Sequence, residues 1–191
     1  MIKRILNRLF RKKSFTIVGT FEIGSNTKLD THLISWNSVE NQVIVGADSL
    51  INCKIYFEKS DSELSIGSRT FIGGGTKLVS AKSITIGDDV LISWGVSIVD
   101  HNSHAIEFSK RKDDVTNWGN GIKDWTYVKM EPVVIGNKCW IGFDVIILKG
   151  VQLGEGCIVG AGSVVTKSFP AWSIIGGNPA KLIRTLAEDE R

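Results

Sequence analysis

The chain of 191 residues carries 42% hydrophobic and 23% charged residues, enough for one buried core and well outside the composition of disordered chains. Its formal charge of +3 is concentrated at one end: MIKRILNRLFRKK holds six positive residues and no acid, so the remainder is net acidic. A general nucleic-acid binder spreads its basic residues more widely, and a membrane-spanning helix needs a run of about 18 apolar residues that this chain lacks, so both classes are set aside.

Within residues 1–13, Ile2, Ile5, Leu6, Leu9 and Phe10 recur at helical spacing, which predicts a short helix with one apolar and one basic face. Such a helix either caps the end of the core or makes weak peripheral contact with an anionic membrane. No secretory leader is legible there, and Cys53, Cys139 and Cys157 form no CxxC pair. The expectation is three buried thiols in a cytoplasmic protein, at most touching the inner face of the cell membrane.

Further along, a six-residue period takes over. Ile135, Ile141, Ile147, Leu153, Val159 and Val165 keep strict phase, and Gly136, Gly142, Gly154 and Gly160 each follow the aliphatic residue. The same beat runs earlier through Val45, Ile51 and Phe57, through Ile66, Ile72 and Leu78, and through Ile86, Ile92 and Ile98, with slips between the groups. A hexad of this kind predicts a short strand with its aliphatic side chain inward, then a turn at which glycine supplies backbone angles that other residues resist. Three sides make a triangular coil that cannot bury its own core face, so coils must stack. The fold class predicted is an all-β solenoid of hexapeptide repeats over residues 14–184, with short terminal helices and a tail at 185–191. A β-sandwich would show strands at wider spacing and no fixed hexad.

The period fails from Ile98 to Ile135, predicting an excursion over about residues 100–131 that leaves the prism. It opens with DHNSHAIEF and contains Trp118 and Trp125, whose rings suit sugar faces or packing on an adjacent subunit. Two of the three histidines, His101 and His104, lie in it, flanked by Asp100 and Glu107.

The segment KCWIGFDVIILKGVQLGEGCIVGAGSVVTKSFPAWSIIGGNPAKLIR, with its WIG, GAGSVVTK and GNPAK elements, resembles the C-terminal half of the hexapeptide-repeat acyltransferases, in the branch that acetylates galactosides, maltose and surface polysaccharides. The resemblance implies a left-handed parallel β-helix, although general crossover chirality favours the right hand. It also implies a homotrimer with active sites between subunits, acetyl-CoA as cosubstrate, no resident metal, and a saccharide acceptor. Transfer from a thioester to a hydroxyl needs a proton acceptor, donors for the developing oxyanion, and alignment of both substrates. The family's loop histidine aligns best with SHAIE, making His104 the expected general base, with direct attack on the thioester. His101, Trp118 and Trp125 are then expected to touch the acceptor. Asp100 or Glu107 is the expected acid on the other ring nitrogen, and each fits a solvated loop acid equally well. For the cofactor, the resemblance assigns Trp140, Gly142 and Phe143 to the thioester wall, with a backbone N–H near Gly142 as oxyanion donor. Ala161, Thr166, Lys167, Lys181 and Arg184 are assigned to the pantetheine and phosphate path. Three further readings stay open: N-acetylation of an amino sugar or other small amine, a zinc enzyme on the same prism built from three histidines, and a non-catalytic scaffold.

Overall fold

The computed structural model describes residues 19–191, so the basic segment 1–13 lies outside the described residues. As far as Val164–Val165, short strands fall in rotation onto three parallel sheets. The first face stacks Thr20–Ile23, Gln42–Val45, Glu63–Ile66, Ser83–Ile86, Val133–Ile135 and Gln152–Leu153; the third stacks Ile34–Ser35, Lys54–Phe57, Lys77–Ser80, Ser97–Val99, Ile146–Ile147 and Val164–Val165. Between them the second face runs from Lys28–Leu29 to Ser173–Gly176 and is closed by the antiparallel strand Lys181–Thr185. The fold is a left-handed parallel β-helix.

Register follows the hexad. Val45, Ile66, Ile86, Ile135 and Leu153 stand one above another on the first face, and Ile51, Ile72, Ile92, Ile141, Val159 and Ile175 do so on the second. All are buried, and a fully buried aliphatic side chain contributes about 1.5–3 kcal/mol, so these columns hold the coils together. On the third face the column is Ile55, Leu78, Ile98, Ile147 and Val165. Phe57, in phase by sequence, pairs instead with Ser80, because Lys54–Phe57 is four residues long and turns two side chains inward.

Two expectations need correcting. The glycines after the aliphatic residues are not in the left-handed region; those angles fall two residues later, at Asp48, Arg69, Asp89, Lys138 and Asp144. Gly142 is needed for space, since a Cβ there would lie 2.6 Å from the backbone nitrogen of Ala161 in the next coil. The chain end also departs from the expected terminal helix: Lys181–Thr185 is a strand, and only Glu188–Glu190 turns, as a single 3₁₀ turn.

Candidate active site

The excursion leaves and returns at the corner between the third and first faces. One coil below, Ala81 and Lys82 alone turn that corner. Its stem is a short antiparallel contact in which Asn102 N–H donates to Lys129 O (3.0 Å) and Glu131 N–H to Asp100 O (2.8 Å), with His101 opposite Met130. Beyond the stem lie two short helices, α1 (Phe108–Arg111) and α2 (Asp114–Gly119).

His104 sits before α1, its side chain 38% exposed, and its Nδ1 is 2.5 Å from Asp114 Oδ2 in the first turn of α2. The carboxylate fixes the Nδ1–H tautomer and leaves Nε2 as the ring's acceptor nitrogen. The ring leans on Trp118, with centroids 4.9 Å apart. Neither predicted acid occupies that position. Asp100 is fully buried and turns inward, accepting from Ser80 Oγ, Ala81 N–H and Lys82 N–H, each at 2.8 Å, and so pins the corner below the excursion. Glu107 is exposed at the N-cap position of α1 and makes no capping bond. Sequence reasoning missed Asp114, which lies ten residues from His104 in a segment without periodicity.

His101 is arranged differently. Its side chain has no exposed surface, its Nδ1 accepts the Ser103 N–H at 3.0 Å, and its proton therefore belongs on Nε2. That Nε2 is buried without a hydrogen-bond partner among the described residues, with Glu58 Oε2 3.6 Å away, at the end of a strand two coils below. Burial is the main influence holding the ring below its ordinary pKa of 6.5, against the opposing pull of Glu58 and Asp100, so it is neutral near pH 7. Trp125 meets it edge-on at 5.3 Å.

Lys123 links the two histidines' surroundings. Its ammonium donates to Ser103 O and lies 4.4 Å from the Trp118 ring centre and 5.0 Å from that of Trp125. One face of each tryptophan is therefore turned to this cation. Both rings still border a cleft of about 380 Å³, together with Asn37, Phe57, Glu58, Ser103 and Lys123.

The predicted cofactor residues divide between two corners. Trp140, Gly142, Phe143 and Ala161 gather where the second face meets the third; Phe143 stacks on Trp94 at 5.1 Å, and Trp140, Trp94 and Phe143 are all exposed. The Gly142 N–H is committed to Val159 O at 2.9 Å. Thr166 and Lys167 are exposed at the other corner, the one the excursion uses, while Lys181 and Arg184 lie on the last strand. Arg184 is engaged by Glu190 through both carboxylate oxygens, with the second contact at 2.7 Å. Among the described residues no three His, Cys, Asp or Glu side chains converge as a metal-binding group, and no helix is long and apolar enough to cross a membrane.

Residues 132–167 match the family of bacterial transferase hexapeptides (six repeats), and residues 63–99 match the hexapeptide repeat of succinyl-transferase. The chain belongs to the hexapeptide-repeat acyltransferases. It is 31% identical to the galactoside O-acetyltransferase of Escherichia coli (strain K12) over 77% of this chain and 66% of that one. Against the protein named "Putative lipopolysaccharide biosynthesis O-acetyl transferase WbbJ" of the same organism, it is 39% identical over 56% of this chain and 53% of the relative. The chain thus spans between about half and two thirds of the length of these relatives. A solved galactoside acetyltransferase in complex with coenzyme A superposes with a TM-score of 0.58 at 26% identity, covering 78% of this chain and 66% of that one.

Proposed function

We propose that this protein is an acetyl-CoA-dependent O-acetyltransferase acting on a hydroxyl of a sugar or surface-polysaccharide precursor. The observation that carries the reading is the His104–Asp114 contact beside the cleft, an imidazole with one nitrogen fixed and the other free. One named relative is a galactoside O-acetyltransferase, the other is named as a putative O-acetyl transferase of lipopolysaccharide biosynthesis, and the superposed enzyme holds coenzyme A, which supports both the acceptor class and the cosubstrate.

In this reading His104 Nε2 takes the proton of the acceptor hydroxyl as its oxygen bonds to the thioester carbonyl carbon. Collapse of the tetrahedral species breaks the C–S bond, and His104 returns the proton to the departing sulfur. Asp114 holds the imidazole through Nδ1 and stabilises the transient imidazolium. Exposed Trp94, Trp140 and Phe143 offer an apolar wall, and Lys167 and Lys181 offer cations for phosphate.

A single chain separates that wall from the His104 corner, which supports a homotrimer in which one subunit's wall faces its neighbour's excursion. The six positive charges of residues 1–13 support weak attraction to an anionic membrane face, at about 1 kcal/mol each.

The test is acetyl transfer from acetyl-CoA to a panel of sugars, nucleotide sugars and amino sugars, with the product bond identified by NMR. Ester formation that depends on His104 supports the reading; amide formation alone converts it to N-transfer, and no turnover with any acceptor overturns it.

A further inference from the structure

Glu58 lines the cleft, and His101 is buried behind it. Among the described residues the half-exposed Glu58 carboxylate has no side-chain hydrogen bond, and its backbone is fixed by Glu58 N–H to Ser80 O (2.8 Å) and by Asn37 Nδ2 donating to Glu58 O (3.3 Å). Facing it is His101 Nε2–H, a fully buried donor left 3.6 Å away, just beyond bonding distance. A buried donor without a partner costs about 1–3 kcal/mol, and its proton cannot move to the other nitrogen while Ser103 N–H donates there. A shift of well under 1 Å would let one Glu58 oxygen accept from His101 and turn the other oxygen to the cleft.

Charge narrows what that oxygen meets. The other charged group of the cleft, Lys123, already donates to Ser103 O and rests against two indoles, so it offers little to a phosphate or carboxylate, and Glu58 itself repels anions. An ammonium ligand would meet the Lys123 charge. A ligand presenting hydroxyl donors suits a lone carboxylate oxygen, and the volume of about 380 Å³ lies within the range of small-molecule sites.

We propose that Glu58 is the acceptor-recognition residue of this cleft, that His101 is its positioning residue, and that the cleft takes a neutral pyranose ring through its hydroxyls. This rests on the acetyltransferase reading for its purpose, since Trp118 joins the cleft to His104, but not for its chemistry. It also separates the two histidines: His104 works on the reacting proton, and His101 works through Glu58.

The experiment compares wild type, Glu58→Gln and His101→Gln. Saturation-transfer NMR with methyl β-D-galactopyranoside, methyl β-D-glucopyranoside and glucosamine reads binding, and steady-state acetyl transfer to whichever sugar binds reads KM and kcat. Glu58→Gln should weaken binding of the neutral glycoside by about tenfold or more, as loss of a bond to a charged group does. Its acetyl-CoA KM, its kcat at saturating sugar and its melting temperature should stay near wild type. His101→Gln should raise the sugar KM in the same direction, with kcat less affected. Sugar binding unchanged in Glu58→Gln, no binding of either neutral glycoside by wild type, or preference for glucosamine overturns the inference. Binding that Glu58→Gln abolishes, in a protein that never transfers acetyl to the bound sugar, keeps this inference and overturns the acetyltransferase reading alone.

Discussion

Asp114 Oδ2 and His104 Nδ1 lie 2.5 Å apart, joining the first turn of α2 to the loop before α1. The contact is the main polar tie between those two parts of the excursion, so it sets both the tautomer and the direction of the imidazole. Asp114→Asn keeps the shape but can donate to Nδ1, favouring the wrong tautomer. It should lower kcat by about 10²-fold, with acceptor KM little changed. Equal kcat in the variant, measured by thiol release from acetyl-CoA, would refute the orienting role.

Replacing His104 by Ala should lower acetyl transfer by roughly 10²–10⁴ while coenzyme A binding, followed calorimetrically, stays near wild type. His101→Ala should retain a higher kcat than His104→Ala. The reverse order would move the base to His101.

Asp100 serves the fold. Removing its carboxylate in Asp100→Ala strands the N–H groups of Ala81 and Lys82 at the foot of the excursion and leaves the Ser80 hydroxyl only its longer bond to Glu63 O. Loss of at least about 3 kcal/mol of stability is expected from chemical denaturation. A variant as stable as wild type would show that this corner relaxes around the gap.

Neutral His101 makes stability depend on pH. Its folded pKa is lowered from 6.5, so the unfolded chain binds the extra proton first as pH falls. Stability from the neutral ring is complete above pH 6.5 and declines below it. Melting temperatures at pH 8 and pH 5.5 should differ more in wild type than in His101→Gln; the lowered carboxylates Asp89, Asp124 and Glu190 titrate below that window. An identical difference in both proteins would remove His101 from the account.

Gly142→Ala should cost about 1–3 kcal/mol, because the added methyl meets the Ala161 backbone and the stacked coils cannot separate locally without breaking ladder bonds. A variant with unchanged melting temperature would show that the coils can give.

The hexad made the core columns readable because an inward aliphatic residue every sixth position is a one-dimensional constraint, visible without knowing any partner. What it could not show is where the stacking distance, rather than the turn, selects glycine: Gly142 has no left-handed angle but meets the next backbone, whereas the left-handed angle of its neighbouring turn is taken by Lys138. The site was half legible. His101 and His104 stood out by residue type, but the choice of Asp114 over Asp100 and Glu107 depends on how α1 and α2 fold back, which aperiodic sequence does not encode in any local spacing. Glu58 was invisible for a related reason: it lies 46 positions before His104 and meets the excursion only through the stacking of coils.

The corner that Ala81 and Lys82 turn in one coil is turned in the next by everything from Asp100 to Pro132, yet Ile86 still stands under Ile135 and Ile98 under Ile147. The shaft of the molecule therefore does not register the length of what is mounted on it. Loops of other lengths, grafted between the same two anchor points, would inherit a rigid mount with its floor already in place. New acceptor chemistry could then arise by exchanging the head alone, while the aliphatic columns stay under no pressure to change.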